Sequence, residues 1–253
     1  SDGARIEGLA FVTEDKMVKP DNIADEENPV THHAMLDVFP ELKLPAVWLP
    51  HGILGVSNSE IVVDNSGGDF GPFDGQLFVG DQGQSKIMRA SLEKVNGEYQ
   101  GAAFDFRSGF QSGILRLAWG KAGSLFAGQT DRGWGSAGTR HEGLQRISWN
   151  GKIPMEIKTV NAMPDGFEII FTMPVDRESA EDLSAYSGRS YTYKYHSVYG
   201  SPPIYIEDLD IRGVKLSEDG LRARLLIDNL RQYYIHEIHV PGIRSRLEDL
   251  PVL

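Results

Sequence analysis

Two stretches of the chain repeat each other at a spacing of 48 residues, and this repeat limits the possible folds more than any other feature. The first reads Gly-Gln-Leu-Phe-Val-Gly-Asp-Gln over residues 75–82, and the second reads Gly-Ser-Leu-Phe-Ala-Gly-Gln-Thr over residues 123–130. The similarity extends to residues 87–92 and 144–149, and to the Gly-Ile-Leu segments at 52–54 and 113–115. Periods of about 40 to 50 residues are typical of β-propeller blades. We therefore predict propeller-like blades over residues 46–152.

Residues 153–253 predict a second all-β unit of a different kind. Apolar and polar residues alternate in residues 167–175 and again around Tyr191, Tyr193 and Tyr195. Short strands separated by turn signals at intervals of about 8 to 12 residues are typical of β-sandwiches. We expect an immunoglobulin-like β-sandwich over residues 153–253, and we assign residues 1–45, which carry weak patterns, to an N-terminal arm.

Two blades do not close a propeller, because closure takes at least about four. Three explanations stay open. The chain is the C-terminal part of a longer protein, or a partner supplies the remaining blades, or the repeats belong to a two-sheet arrangement packed on the sandwich. We favour the first, because unpaired strand edges would otherwise invite aggregation.

Composition excludes several classes of function. The net charge of −11 argues against nucleic acid as a partner, because phosphate binding requires a basic surface. No run of about 18 apolar residues predicts a membrane span. The chain has no cysteine, so neither a disulfide nor a thiolate metal site is expected, which fits an intracellular or a periplasmic protein.

A pattern typical of a known family is formed by Pro50-His51-Gly52, residues 75–80, Arg89 and Arg116, and Gly-Ser-Leu-Phe at 123–126. By this pattern, residues 45–245 resemble the quinoprotein glucose/sorbosone dehydrogenase family, in its secreted bacterial form. It implies a periplasmic or secreted part of a sugar or aldose dehydrogenase that uses pyrroloquinoline quinone and passes electrons to a cytochrome c module. The family's quinone-holding lysine is replaced here, so the cofactor contacts implied are Gln82, Gln84 and Arg116.

Several polar residues follow the repeated strands and are candidates for sugar recognition. His51 begins a predicted inner strand and is a candidate general base, with a backbone-bonded turn histidine as the alternative. Equivalent positions in two blades line the same end of a propeller, and carboxamides with carboxylates suit sugar hydroxyls. The alternatives are hydrogen bonds between the blades and, for the tryptophan, a core-capping role. The predicted substrate contacts are Asp81, Gln129, Asp131, Arg132 and Trp134.

The loop of residues 63–75 is an insertion of about 13 residues in the first repeat relative to the second. Asp64, Asp69 and Asp74 lie within it. Oxygen ligands at short spacing suit calcium, whereas aspartate beside glycine is also common in turns. We treat the three carboxylates as a candidate calcium site.

Two functions therefore stay open. One is the C-terminal segment of a quinone-dependent sugar dehydrogenase. The other is a non-catalytic scaffold module at the cell surface that binds carbohydrate or protein, which the loss of the lysine favours.

Overall fold

The computed structural model describes residues 31–37, 40–195 and 201–253. These residues form an all-β protein, as predicted, with four antiparallel sheets that do not close. Most of the predicted N-terminal arm, residues 1–30, lies outside the described residues. No helix in the described ranges has the length and apolar character needed to cross a membrane.

The first sheet is a four-stranded meander in which each strand pairs with the next. Its strands are β1 (Asn58–Val63), β2 (Leu77–Asp81), β3 (Lys86–Val95) and β4 (Glu98–Arg107). Asn96 and Gly97 join β3 to β4 and both have positive φ. This Asn-Gly pair is the preferred sequence for a two-residue hairpin turn.

The second sheet is a three-stranded meander. Its strands are β5 (Ile114–Trp119), β6 (Leu125–Thr130) and β7 (Glu142–Ile147), in the order β5-β6-β7. The two repeated octapeptides contain β2 and β6, each the second strand of its meander. The sequence repeat is therefore confirmed as a repeat of structure.

The first two sheets pack face to face. The first sheet and the loops beside it contribute five phenylalanines and Ile87 to their shared core, whereas the buried residues of β5 and β6 in it are aliphatic. Its buried members are Phe70, Phe73, Phe78, Ile87, Phe106, Phe110, Ile114, Leu117, Leu125 and Ala127. Gly80 allows the close approach, since a Cβ at this position would lie 2.6 Å from Cγ2 of Ile114.

The two sheets stack head-to-tail, which means that one face of the first sheet contacts the opposite, non-equivalent face of the second sheet. In the repeat, Phe126 and Gly128 correspond to Phe78 and Gly80, whose face of the first sheet is covered by the second sheet. A Cβ added at Gly128 would meet only Arg116 of its own sheet, at 3.5 Å or more. Among the described residues, this face of the second sheet thus lacks the cover that the equivalent face of the first sheet has.

Residues beyond 153 form the other two sheets. One has the order β12-β13-β9-β8 and the other β11-β10-β14. The strands are β8 (Ile157–Met163), β9 (Gly166–Phe171), β10 (Ser187–Thr192), β11 (Ile204–Asp208), β12 (Ile211–Leu216), β13 (Arg222–Ile227) and β14 (Ile235–His239). A short helix α1 (Arg177–Glu181), capped by Asp176, and a 3₁₀ turn (Leu183–Ala185) contribute Ala180 and Ala185 to the core.

A fully buried arginine joins the first sheet to β8. Arg89 on β3 is 1% exposed. Its Nη1 donates to Oε1 of Gln76 at 2.7 Å and to the carbonyl of Lys158 at 2.9 Å, and its Nη2 donates to the carbonyl of Ile157 at 2.6 Å. The carboxylate of Glu156 lies 3.5 Å from Nη2. Burial lowers the pKa of this guanidinium to about 10 even though Glu156 opposes the shift, so Arg89 is charged at neutral pH.

Aromatic rings and a second arginine complete this junction. The guanidinium lies 4.0 Å from the ring centroid of Phe73 and 4.3 Å from that of Phe104. Arg107 donates to Oε1 of Glu156 at 3.2 Å. Two further ion pairs lie in the first two sheets: Asp105 pairs with Lys86, and Arg116 pairs with Glu60.

Candidate functional site

The ends of β2 and β6 adjoin, as the repeat predicted. Gln82 follows β2 directly and is 9% exposed. Its Nε2 donates to the carbonyl of Thr130 at 3.3 Å and to the carbonyl of Trp134 at 3.2 Å. The carboxamide therefore connects the two sheets. Hydrogen bonding between the two repeats is the role that the sequence left open as an alternative to sugar binding.

Asp81, the last residue of β2, is fully buried and bound to backbone amides. Its carboxylate accepts from the N–H groups of Val56 at 2.6 Å, Ser57 at 2.9 Å and Gln84 at 2.6 Å. This side chain fixes the turn of residues 50–57 against the sheet. His51 lies exposed on that turn, where its backbone bridges to Gly55.

Gln129, the counterpart of Asp81 in the second sheet, also has structural contacts. Its Oε1 accepts from the N–H of Ser112 at 2.9 Å, and its Nε2 donates to Oε1 of Gln145 at 3.0 Å. Oε1 of Gln145 accepts in addition from the N–H of Gln111 at 2.9 Å. The chain thus uses buried and half-buried carboxamides here to bind backbone groups of residues 111 and 112, and buried backbone groups are costly to leave unpaired.

The loop of residues 131–141 is held against this end of the first sheet by its own backbone. The N–H of Ala137 donates to the carbonyl of Gly83 at 2.9 Å, and the N–H of Arg140 donates to the carbonyl of Gln111 at 2.8 Å. The N–H of Gly138 donates to Oγ of Ser85 at 2.9 Å. With the bond from Gln82 to the carbonyl of Trp134, these contacts fix the loop along its length.

The side chains of this loop, in contrast, are exposed. Trp134 is 52% exposed, and Arg132 and Arg140 are exposed as well. Asp131 and His141 pair across the base of the loop, with 2.8 Å between Oδ2 and Nδ1. This hydrogen bond raises the pKa of the His141 imidazole above its usual value. The loop therefore presents an aromatic ring, two guanidiniums and a carboxylate–imidazole pair on a fixed backbone.

Of these groups, His141 and Arg140 were not among the predicted site residues. Both lie in the long glycine-rich loop between β6 and β7. The sequence signal that could have found them is the equivalence of this loop to the short turn between β2 and β3, because a hairpin brings the residues at its two ends together.

The implied quinone contacts do not surround a common cavity. The carboxamide of Gln82 is taken up by backbone carbonyls, and Gln84 lies half-buried in the turn between β2 and β3. Arg116 is opposite Gly128 in the register, and so lies on the face of the second sheet opposite to that of Gln129. The residues present therefore do not fit pyrroloquinoline quinone.

The three aspartates of the 63–75 loop do not converge either. Asp64 is buried and its Oδ1 accepts from the N–H of Ser66 at 2.9 Å, while Asp74 accepts from the N–H of Gly67 at 2.8 Å. Asp69 is exposed. Within the described residues, no three His, Cys, Asp or Glu side chains are placed to share a metal ion. Asp64 and Asp74 thus bind amides of their own loop, while Oδ2 of Asp64 is buried without a hydrogen-bond partner. Calcium binding by the three carboxylates stays a prediction.

Two open clefts lie elsewhere on the molecule. One, of about 350 Å³, is bounded by residues 107–110 and 145–148. The other, of about 620 Å³, lies among residues 176–185 and 242–249. Neither is lined by a predicted site residue, so the exposed loop of residues 131–141 remains the best candidate site.

Comparison with known proteins identifies no family. No family model matches the chain, and neither a curated protein nor a solved structure is significantly similar to it. The resemblance to quinoprotein dehydrogenases therefore remains an expectation from sequence.

Proposed function

We propose that the chain is a non-catalytic carbohydrate-binding module whose first two sheets support the loop of residues 131–141. The observation that carries the proposal is the contrast within this loop. Its backbone is fixed by hydrogen bonds to the turn after β2 and to Gln111, while Trp134, Arg132 and Arg140 are exposed. A rigid exposed aromatic ring binds at a low cost in conformational entropy.

The chemistry of the loop suits sugars. An aromatic face packs against the apolar face of a pyranose ring, while guanidinium donors and the carboxylate of Asp131 match hydroxyl groups, which both donate and accept. We also propose that the two meanders are neighbouring blades of a propeller-like stack and that the sheets beyond residue 153 form an immunoglobulin-like sandwich. The head-to-tail packing of the first two sheets supports the former assignment.

The alternative, a segment of a quinone-dependent sugar dehydrogenase, has less support. It requires Gln82, Gln84 and Arg116 to act together on one ligand, and His51 to face it. The carboxamide of Gln82 instead donates to two backbone carbonyls, and Arg116 pairs with Glu60. We keep the secreted or periplasmic location as part of the proposal, since extracellular sugars are the natural ligands of such a module.

A glycan array followed by titration calorimetry with the best-binding oligosaccharide tests this proposal. Truncating a central aromatic anchor costs about 2 kcal/mol or more, so Trp134→Ala should weaken binding by at least about 30-fold. Trp149→Ala is the matched control, because Trp149 is also partly exposed, at 38%, but lies outside the loop. Equal losses in the two variants, or no glycan bound by the folded chain, would overturn the proposal.

A further inference from the structure

Strand β7 is an exposed sheet edge. It pairs with β6 on one side and, within the part of the chain that the structure describes, with no strand on the other. In the first sheet, the corresponding edge of β3 is covered by β4 over nine residue pairs. Leu144, in the middle of β7, is 70% exposed, and Glu142 and Arg146 are exposed beside it. An edge of this kind can accept another strand.

The hydrogen bonds around β6 show which backbone groups of β7 are directed outward. The N–H of Thr130 donates to the carbonyl of Gly113, towards β5, and the N–H of Asp131 donates to the carbonyl of His141, towards β7. In antiparallel pairs, residues alternate between those that exchange hydrogen bonds and those that do not. His141 therefore bonds towards β6, and alternate residues starting with Glu142 direct their N–H and C=O away from it.

The outward set is Glu142, Leu144 and Arg146, and the arrangement is self-complementary. If two copies of β7 pair antiparallel about Leu144, the two Leu144 side chains lie opposite each other. Glu142 of each copy then lies opposite Arg146 of the other, twice by symmetry. Cross-strand neighbours have Cβ atoms about 4.5 to 5.5 Å apart, which suits both an apolar pair and ion pairs. All six residues lie on one face of the joined sheet, because alternate residues of a strand share a face.

We propose that this edge joins two copies of the chain into a symmetric dimer with a continuous six-stranded sheet. A two-fold interface requires one patch to complement itself, and the order Glu-x-Leu-x-Arg meets this requirement in the antiparallel register. An unrelated strand would have to match both charges. The pairing supplies hydrogen-bond partners for the outward backbone groups of the three residues.

Sedimentation velocity and light scattering on the full chain, across a dilution series, test the dimer. We expect a species of twice the 28.0 kDa chain mass that dissociates on dilution. Glu142→Arg places like charges opposite each other at both ends of the pairing, and so does Arg146→Glu. Each variant alone should be monomeric at concentrations where the natural chain is dimeric.

Mixing the two variants gives the decisive result. A mixed pair again places opposite charges against each other at both ends, so an equimolar mixture should form dimers although each component alone does not. Glu248→Arg, which changes an exposed charge far along the chain, is the control and should stay dimeric. Circular dichroism melts should show that all variants are folded, because every substituted residue is exposed.

Other outcomes would overturn the proposal. A natural chain that is monomeric throughout the dilution series excludes the dimer. A dimer that persists in both variants, or that is not restored in the mixture, places the contact on another surface. Failure of this proposal leaves carbohydrate binding by the 131–141 loop unaffected, since the two rest on different residues.

Discussion

Replacing Arg89 by methionine should destabilise the chain strongly. The substitution keeps an unbranched side chain between the rings of Phe73 and Phe104 but removes the charge. It leaves the carboxylate of Glu156, whose side chain is 5% exposed, without its most buried partner. It also leaves two backbone carbonyls of β8 without their donors.

The structure gives the size of the effect. Removing one partner of a buried ion pair costs about 3 to 5 kcal/mol, because the other charge stays buried. Arg107 still donates to Glu156 at 3.2 Å, so we expect the lower part of that range. Glu156→Gln should cost a similar amount, since it leaves Arg89 without a counter-charge. The double variant should cost less than the sum of the singles by about 1 to 3 kcal/mol, since the two residues interact directly.

Urea unfolding followed by circular dichroism and tryptophan fluorescence measures these differences. Arg177→Met is the control. It breaks an exposed pair with Glu181 one helical turn away, and such pairs contribute about 0.3 to 0.5 kcal/mol. If Arg89→Met costs no more than Arg177→Met, or if the two junction substitutions are additive within about 0.5 kcal/mol, the junction is not the coupled buried pair described above.

Two further predictions concern packing and pH. Gly80→Ala should cost about 1 to 3 kcal/mol by overpacking, whereas Gly128→Ala, at the equivalent position of the uncovered face, should be neutral or stabilising by up to about 1 kcal/mol; equal urea midpoints for the two variants would contradict the head-to-tail packing. Burial lowers the pKa of His236 from 6.5 to about 4, so between these pH values the unfolded chain binds a proton that the folded chain does not. The free energy of unfolding should therefore fall on the order of 3 kcal/mol as the pH decreases through this window, and His236→Gln should flatten that dependence; a slope that the substitution leaves unchanged would show that other groups cause it.

The repeat allowed the strands to be predicted because it is local. Alternation of apolar residues and the glycines at its ends are enough to define β2 and β6, and the structure places both as second strands of meanders. The segments that pack on each strand, in contrast, are distant from it in the sequence, and the repeat does not identify them. Arg89 and Arg146 occupy equivalent positions in the repeat, yet Arg89 is fully buried beneath residues 156–158 while Arg146 is exposed. The sequence of a repeat does not show which of its copies another segment will cover.

At the candidate site, too, the sequence predicted where residues lie but not what they contact. The sequence placed Gln82 and Trp134 at neighbouring strand ends, and they do meet there. It did not show that the amide of Gln82 would bind the carbonyl of Trp134 rather than a ligand, because polar side chains near strand ends serve backbone and ligand with the same atoms. Asp81 is a second example, since its carboxylate is fully used by three amides.

The attachment of the 131–141 loop through its main chain has a consequence for how its recognition can change. Its contacts with the first sheet and with Gln111 use the carbonyl of Trp134 and the amides of Ala137, Gly138 and Arg140. Substituting the side chains of Trp134, Ala137 and Arg140 would remove none of those bonds. Gly138 must stay glycine, because a Cβ there would lie 2.4 Å from the carbonyl oxygen of Gln111. Ligand specificity could therefore be changed by saturation mutagenesis of positions 132, 134 and 140, because the hydrogen bonds that hold the loop to the rest of the chain would be kept.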